Sequence, residues 1–254
     1  HIQGDPKDYI EHTGYEIIDR AHELGYEVLA ITCHHRVVMW PDLKTYATER
    51  GILLIQGAEI EINGAHTLIL NAHPEVEFIK TFEQLIAYKK KHPEIFIIAP
   101  HPFFPSITSC LKSQLYDYID IFDGIEKSWF HSRQINFNRK ARRLAGICDL
   151  PYIATADIHI LEQFDFGGQV LIDAPKNTEA ILEALRQKKF KNISQPLSSF
   201  KMGTTFVKMN LRALRRYLPW TSPHIPFPYA RLHQDYQTKS RRRSAQNHPT
   251  RVRN

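Results

Sequence analysis

Short apolar runs alternate with amphipathic stretches along about the first 190 residues of the chain. The runs are rich in Ile, Val and Leu and are bounded by Gly, Pro or charged residues, which is typical of strands. Several are apolar at successive positions, as in strands that are buried on both faces. The predicted strands are Tyr26–Ile31, Ile52–Ile62, Thr67–Ala72, Ile95–Ala99, Ile119–Ile125, Tyr152–Thr155 and Gln169–Ile172.

The stretches between these runs predict helices. Thr13 is a candidate N-cap with Glu16 three residues later, which is the pattern of a capping box. Apolar residues follow at helical spacing, and Gly25 is expected to end this helix. Further helices are expected at Phe82–Lys91, Gln134–Ala145 and Glu179–Lys188.

A repeated order of strand and helix predicts an α/β fold with a parallel sheet and helical crossovers. About seven strands in roughly 190 residues favour a small, distorted (β/α)7 barrel, with a doubly wound open sheet as the alternative. The regular pattern ends near Lys191, apart from one basic helix expected at Leu211–Leu218. We therefore expect a barrel domain at residues 1–194 and a basic, partly disordered C-terminal extension at residues 195–254.

Composition narrows the class of protein. The chain has 254 residues, of which 43% are hydrophobic, so neither a disordered chain nor a fibrous repeat fits. No run of about 18 apolar residues is present, which predicts that no segment spans a membrane. Three cysteines lie far apart and no signal peptide is visible, so we expect a reducing, cytoplasmic location. The chain starts at His1 rather than Met, and we expect residues to precede it in the natural protein.

The positive charge is confined to one end of the chain. The formal net charge is +6, and residues 231–254 carry seven Lys or Arg and one acid, so the rest of the chain is neutral in formal count. Nucleic-acid binding is therefore an expectation about this tail only.

Imidazoles and carboxylates gather near the ends of the predicted strands. His34 follows the first strand, Glu59 lies near the end of the second, His66 begins the third, His101 follows the fourth, and Asp157 and His159 follow the sixth. In a β/α barrel the carboxyl ends of the strands converge on one face. A single His at such a position is usually a surface or capping residue, but a gathered set indicates a metal site.

The residue types also agree with metal binding. Neutral imidazole and carboxylate are ligands that Zn, Mn and Fe accept. Asp157 and His159 are two positions apart and would point to the same side of an extended backbone. A carboxylate such as Glu59 can bridge two metals, and paired metals promote hydrolysis of phosphate esters.

In order along the chain, the motifs are Ile31-Thr-Cys-His, Gly57-Ala-Glu, His101-Pro and Asp157-Ile-His. Together they resemble the PHP (polymerase and histidinol phosphatase) family of metal-dependent phosphoesterases, over about residues 1–192. The resemblance implies two or three divalent metal ions (Zn, Mn or Fe) in a distorted (β/α)7 barrel of the PHP type. The implied ligands are His1, His34, Glu59, His66, His101, Asp157 and His159, with Glu59 as the bridging carboxylate. Glu59, Asp157 and His159 are the implied catalytic residues.

The first family motif, His-x-His, is incomplete here. Either His1 is its first His and Gln3 replaces the second, or His1 is the second and the first is missing from this chain. We favour the second alignment because Gln is a poor ligand for transition metals.

A second departure is Cys33, where the family often has Asp. We interpret Cys33 as a small buried residue, with a thiolate ligand as the alternative. A phosphate substrate also needs cations, and Arg36, Lys127 and Arg133 are the candidates because they follow predicted strands. Solvated loop charges are an equally good interpretation of these three residues.

Three functions remain open from the sequence. The leading hypothesis is a hydrolase of a phosphorylated small molecule. The alternatives are a nuclease of the same family, which would use the basic tail, and a non-catalytic binding scaffold. The oligomeric state is not determined by the sequence.

Overall fold

The computed structural model describes residues 1–38, 40–105 and 109–215. The helices are α1 (Gly14–Glu23), α2 (Pro41–Glu49), α3 (Phe82–Lys91), α4 (Gln114–Asp117), α5 (Asn138–Ile147), α6 (Thr178–Arg186) and α7 (Ser199–Leu214). The strands are β1 (Val28–Ile31), β2 (Leu53–Ile62), β3 (Ala65–Leu70), β4 (Phe96–Ala99), β5 (Gly124–Ser128), β6 (Tyr152–Thr155), β7 (Gln169–Ile172) and β8 (Phe190–Ile193). In this part of the chain, no helix is long and apolar enough to cross a membrane.

Local sequence signals account for the best-predicted helices. The Thr13 side chain accepts the Glu16 backbone N–H and Glu16 reaches back to Thr13, so the predicted capping box starts α1. Thr81 and Gln84 form the same arrangement at the start of α3. In both helices the buried residues lie on one face, and this face packs into the core against strand residues.

The strands form an α/β architecture with a curled, half-barrel sheet. Within the described residues the strand order is β1-β2-β3-β4-β5-β6, and β7 pairs with β8 in a separate two-stranded sheet. A closed barrel of seven units is therefore not confirmed. Strand β8, which the sequence pattern did not predict, is the antiparallel partner of β7.

The expected all-parallel sheet was wrong at β3, which runs antiparallel to both β2 and β4. The reason is the tight turn at Asn63 and Gly64, which both have positive φ (49° and 76°). A two-residue Asn-Gly turn with this geometry joins neighbouring antiparallel strands. As a result, the start of β3 lies at the same end of the sheet as the end of β2.

The predicted strand Ile119–Ile125 was also displaced. Residues Ile119–Ile121 form a 3-10 turn, and the strand is Gly124–Ser128. Ile121 and Phe122 are buried in the main core from this turn, so their apolar character reflects burial rather than strand structure.

The core lies between the sheet and the helices that cover it. Its largest cluster includes Phe82, Leu85 and Ile97, which are fully buried. Helix α7 adds a smaller cluster in which Met202 packs with Trp129 and Leu197. This helix lies inside the expected extension 195–254, and the division at residue 194 stays a prediction. The Arg-rich end of the chain, from residue 216 onward, lies outside the described residues.

Candidate metal centre

The seven predicted ligands lie in one cluster at one end of the sheet. His34 follows β1, His101 follows β4, and Asp157 and His159 follow β6, whereas Glu59 lies within β2, His66 within β3 and His1 in the N-terminal loop. Pairwise contacts of 2.9–3.6 Å connect the cluster. Its members are His1, His34, Glu59, His66, His101, Asp157 and His159.

Glu59 is at the centre, and its carboxylate is only 5% exposed. Oε2 faces the Nε2 atoms of His1 at 3.3 Å and His34 at 3.5 Å. Oε1 faces Nδ1 of His66 at 2.9 Å and Nε2 of His101 at 3.6 Å. Each carboxylate oxygen therefore has its own pair of imidazoles, which is the arrangement expected of a carboxylate that bridges two cations.

Asp157 and His159 approach the cluster from the loop after β6. Oδ1 of Asp157 lies 3.3 Å from Nε2 of His1 and 3.6 Å from Nδ1 of His159. The backbone between them is not extended as expected, because Asp157 has φ 45°. His101 is also in the left-handed region, at φ 28°. Such strain costs on the order of 1–3 kcal/mol per residue and collects at functional sites.

The N-terminal loop supplies three residues that the sequence analysis missed. Asp5 lies 2.9 Å from Nδ1 of His1 and 3.1 Å from Nδ1 of His34. Asp8 lies 3.0 Å from Nε2 of His159. Lys7 Nζ contacts Nε2 of His66 at 2.8 Å and Oε2 of Glu61 at 2.5 Å. The run Asp5-Pro-Lys-Asp is unusually charged for a segment so close to His1, and this was the available signal.

Glu126 and Cys110 support His101. The buried Glu126 carboxylate accepts the backbone N–H of His101 and the hydroxyl of Thr155. It thus holds the strained loop after β4 rather than an imidazole ring. The Cys110 Sγ lies 3.6 Å from Nδ1 of His101. Because Nε2 of the same ring faces Glu59, both ring nitrogens have a partner.

His34 provides the clearest test of whether a metal fits. Its side chain is buried, and among the described residues its Nε2 has no hydrogen-bond partner. A buried polar atom without a partner costs free energy. This atom faces Oε2 of Glu59, and a cation between the two would satisfy both. The donor set, the burial and this unpaired nitrogen therefore fit divalent metal ions.

Buried imidazoles and carboxylates pair with one another in the cluster. Burial opposes protonation of His1, but hydrogen bonds to Asp157, Asp5 and Glu59 outweigh it and hold its pKa well above the usual value. Burial also opposes ionisation of Glu59, but the neighbouring imidazoles hold its pKa well below the usual value. At Glu126 the neighbouring charge and hydrogen bonds do not offset the effect of burial, which raises the pKa of this carboxyl group to about 7. The carboxylates of Glu59 and Asp5 are thus ionised, and cations can replace the protons of the imidazoles.

The three predicted cations lie in different places. The Arg36 guanidinium donates to the carbonyl oxygen of Gly4 at 2.6 Å, beside Asp5. Lys127 lies on β5, where alternation turns it away from Glu126 and towards Arg142 of α5. Arg133 is exposed in the loop between β5 and α5. Of the three, the structure brings Arg36 to the N-terminal loop of the cluster and turns Lys127 to the outer layer.

The cluster borders a cavity of about 430 Å³. One end is lined by His1, Glu59, Glu126 and Asp157, and most of the remaining wall is aliphatic. This volume is within the range of pockets that hold small molecules.

Cys33 is buried among apolar residues, including Ile2 and Ile31. Burial raises the pKa of its thiol to about 12, so the residue is a neutral thiol in the core. Cys148, at the end of α5, is partly exposed.

We expect Cys148 to react with a disulfide reagent in the native protein and Cys33 to react only after unfolding. The raised pKa of Cys33 alone leaves roughly 1,000-fold less thiolate than an exposed thiol. Thiol titration with and without denaturant measures this, with Cys148→Ser as the control that should lose the fast phase. A fast phase that persists in Cys148→Ser and disappears in Cys33→Ser would contradict the assignment.

Comparison with known proteins relates the chain to proteins of similar fold. No curated protein matches the sequence at a significant level. A two-domain protein from Bacteroides vulgatus, described as containing a predicted PHP-like metal-dependent phosphoesterase, superimposes with a TM-score of 0.55 at 19% identity. The match covers 80% of this chain and 66% of that one, so this chain spans just under two thirds of its length. PsfC from Pseudomonas syringae matches with a TM-score of 0.51 at 15% identity, over 77% of this chain and 86% of that one.

At these identities the two structures establish a shared fold. The sequence itself matches the PHP domain family over residues 11–218, which is most of the chain. The resemblance found in the motifs is confirmed, and this protein belongs to the PHP domain family.

Proposed function

We propose that this protein is a metal-dependent hydrolase of phosphate esters that acts on a phosphorylated small molecule. The observation that carries the proposal is the buried Glu59 carboxylate, whose two oxygens each face a separate pair of imidazoles. Membership of the PHP family supports it, as does the description of the similar Bacteroides vulgatus protein as a phosphoesterase.

Two or three divalent ions, of Zn, Mn or Fe, would be held by His1, His34, Glu59, His66, His101, Asp157 and His159. When bound, such ions lower the pKa of water and neutralise charge on a phosphate group. We assign the catalytic roles to Glu59 on β2 and to Asp157 and His159 in the loop after β6, all of which belong to this cluster.

The carboxylates of the N-terminal loop orient the ligands. Asp5 accepts hydrogen bonds from His1 and His34, and Asp8 contacts His159. Carboxylates that hold a ligating imidazole fix its orientation and raise its basicity. Asp5 is also held by the backbone N–H groups of Lys7 and Asp8, so the loop is locked against the cluster.

Phosphate charge would be met by two cations at the rim. Arg36 is anchored on Gly4, and its side chain is exposed beside the N-terminal loop. The Lys7 side chain is 37% exposed and lies against His66. An Arg and a Lys placed in this way suit the oxygens of a phosphomonoester.

The proposal is tested by removing and restoring metal. We expect chelator-treated protein to lose hydrolysis of a generic aryl phosphate and to recover it with Zn²⁺ or Mn²⁺. The double variant Asp157→Ala, His159→Ala controls for a contaminating phosphatase and should stay inactive with any metal. Full activity and full metal loading in that double variant would overturn the proposal.

The same assay distinguishes the other functions. Cleavage of oligonucleotides that depends on residues 221–254, without cleavage of phosphomonoesters, would identify a nuclease instead. An absence of bound metal after dialysis against Zn²⁺ and Mn²⁺ would favour a binding scaffold.

A further inference from the structure

A second group of imidazole and carboxylate side chains lies at the opposite end of the sheet. His73 follows β3, and His92 and Glu94 lie between α3 and β4. Because β3 is antiparallel to β4, Leu70 at the end of β3 pairs with Phe96 at the start of β4. This end of β4 is separated from His101 by the length of the strand, roughly 15 Å.

We propose that His73, His92 and Glu94 form a second divalent-metal site, suited to Zn²⁺, that is independent of the candidate metal centre. Oε1 of Glu94 lies 2.7 Å from Nε2 of His73 and 3.3 Å from Nδ1 of His92. One potential ligand atom from each residue lies within 4.8 Å of the others. Two imidazole nitrogens and a carboxylate oxygen are a common set of three protein ligands for zinc.

The two rings are already arranged around one point. They stack with centroids 4.3 Å apart and an angle of 27° between their planes, and both direct a nitrogen at the same carboxylate oxygen. A single divalent cation would bind all three groups.

The neighbouring residues hold the ligands in place. The second nitrogen of His92, Nε2, lies 2.9 Å from Oε1 of Glu75. A carboxylate on the distal nitrogen is the usual support of a metal-binding histidine. Glu75 is itself paired with Lys91. The backbone N–H of His73 donates to the Tyr88 hydroxyl at 2.8 Å, which fixes the start of the loop after β3.

The site would tie the loop after β3 to the end of α3. His92 ends α3 as its C-cap, and its side chain is 14% exposed, whereas those of His73 and Glu94 are 34% and 46% exposed. The position is accessible to ions from solvent. A metal here would stabilise the fold without contact with the catalytic cluster.

The test is zinc stoichiometry of the full chain by elemental analysis after equilibrium dialysis. We expect His73→Ala and Glu94→Gln each to bind one zinc fewer per chain than the unmodified protein. His22→Ala, in which an exposed imidazole on α1 is removed, should lose none. Equal stoichiometry in all four proteins would overturn the proposal, and so would the loss of more than one zinc in Glu94→Gln.

A second measurement separates a metal site from a structural contact. Glu75→Gln should keep the stoichiometry and weaken the affinity of this site for zinc by about 10- to 100-fold, because it removes the support of His92. Zinc should also raise the Tm of the Asp157→Ala, His159→Ala variant. Adding Glu94→Gln to that variant should make the zinc-dependent rise in Tm smaller, because it removes a ligand of this second site. An unchanged affinity in Glu75→Gln together with an unchanged Tm rise would contradict the proposal.

Discussion

Replacing Glu59 with Gln is expected to lower kcat/KM for an aryl phosphate by at least about 1,000-fold, equivalent to about 4 kcal/mol of transition-state stabilisation. The amide keeps the shape of the side chain but removes the charge. One of its two ends becomes an N–H₂ donor and can no longer bind a cation. Because each oxygen of Glu59 faces its own pair of imidazoles, we also expect the variant to hold less metal.

Glu61→Gln is the matched control for this prediction. Glu61 is two residues further along β2, but its side chain is 36% exposed and pairs with Lys7 instead of the imidazoles. We expect a loss of less than about tenfold, since an exposed ion pair contributes little. Steady-state kinetics and metal content should be measured on both variants. Equal losses of kcat/KM in the two variants would show that negative charge on β2 matters but that Glu59 has no special role.

Gly168→Ala is expected to destabilise the protein by about 2–3 kcal/mol, which corresponds to a fall in Tm of roughly 5–10 °C. A Cβ at this position would lie 2.5 Å from the carbonyl oxygen and 2.9 Å from the nitrogen of Thr155. Both are backbone atoms of β6 and cannot rotate away. The clash would push β7 from β6, next to the loop that carries Asp157.

Gly146→Ala serves as the control because a Cβ there meets nothing within 4 Å. Gly146 lies inside α5, where Ala has the higher helix propensity, so this variant should gain about 0.5–1 kcal/mol. Thermal unfolding of the two variants under one metal condition measures the difference. A Tm for Gly168→Ala at or above that of the unmodified protein would refute the packing argument.

Helices with strong local signals were the most predictable parts of the fold. Helix α3 begins and ends where the pattern placed it, and α1 starts at its capping box. These signals act within one or two turns of the chain, so the sequence contains them directly. The strand Ile119–Ile125 was misplaced because its apolar residues are buried by a turn, and periodicity does not distinguish the two.

The direction of β3 is encoded by a short turn motif. Asn63-Gly64 between two apolar runs is a strong hairpin signal, and it excludes a parallel β2–β3 pair. Strand β8 had no comparable signal, because Phe190–Ile193 is only four residues long and both of its central residues are polar.

The motifs and their order in the sequence by itself were sufficient to identify the family, and the resemblance implied seven candidate ligands for the centre. Only the tertiary structure decided which side chains meet. His66 joins the centre because the hairpin reverses β3, and a parallel β3 would have placed it at the other end. The same reversal places His73, which follows β3, at the far end of the sheet beside His92. Asp5 and Asp8 became part of the centre because the N-terminal loop folds over it. Contacts between residues distant in the chain depend on strand direction and loop path, which local patterns do not specify.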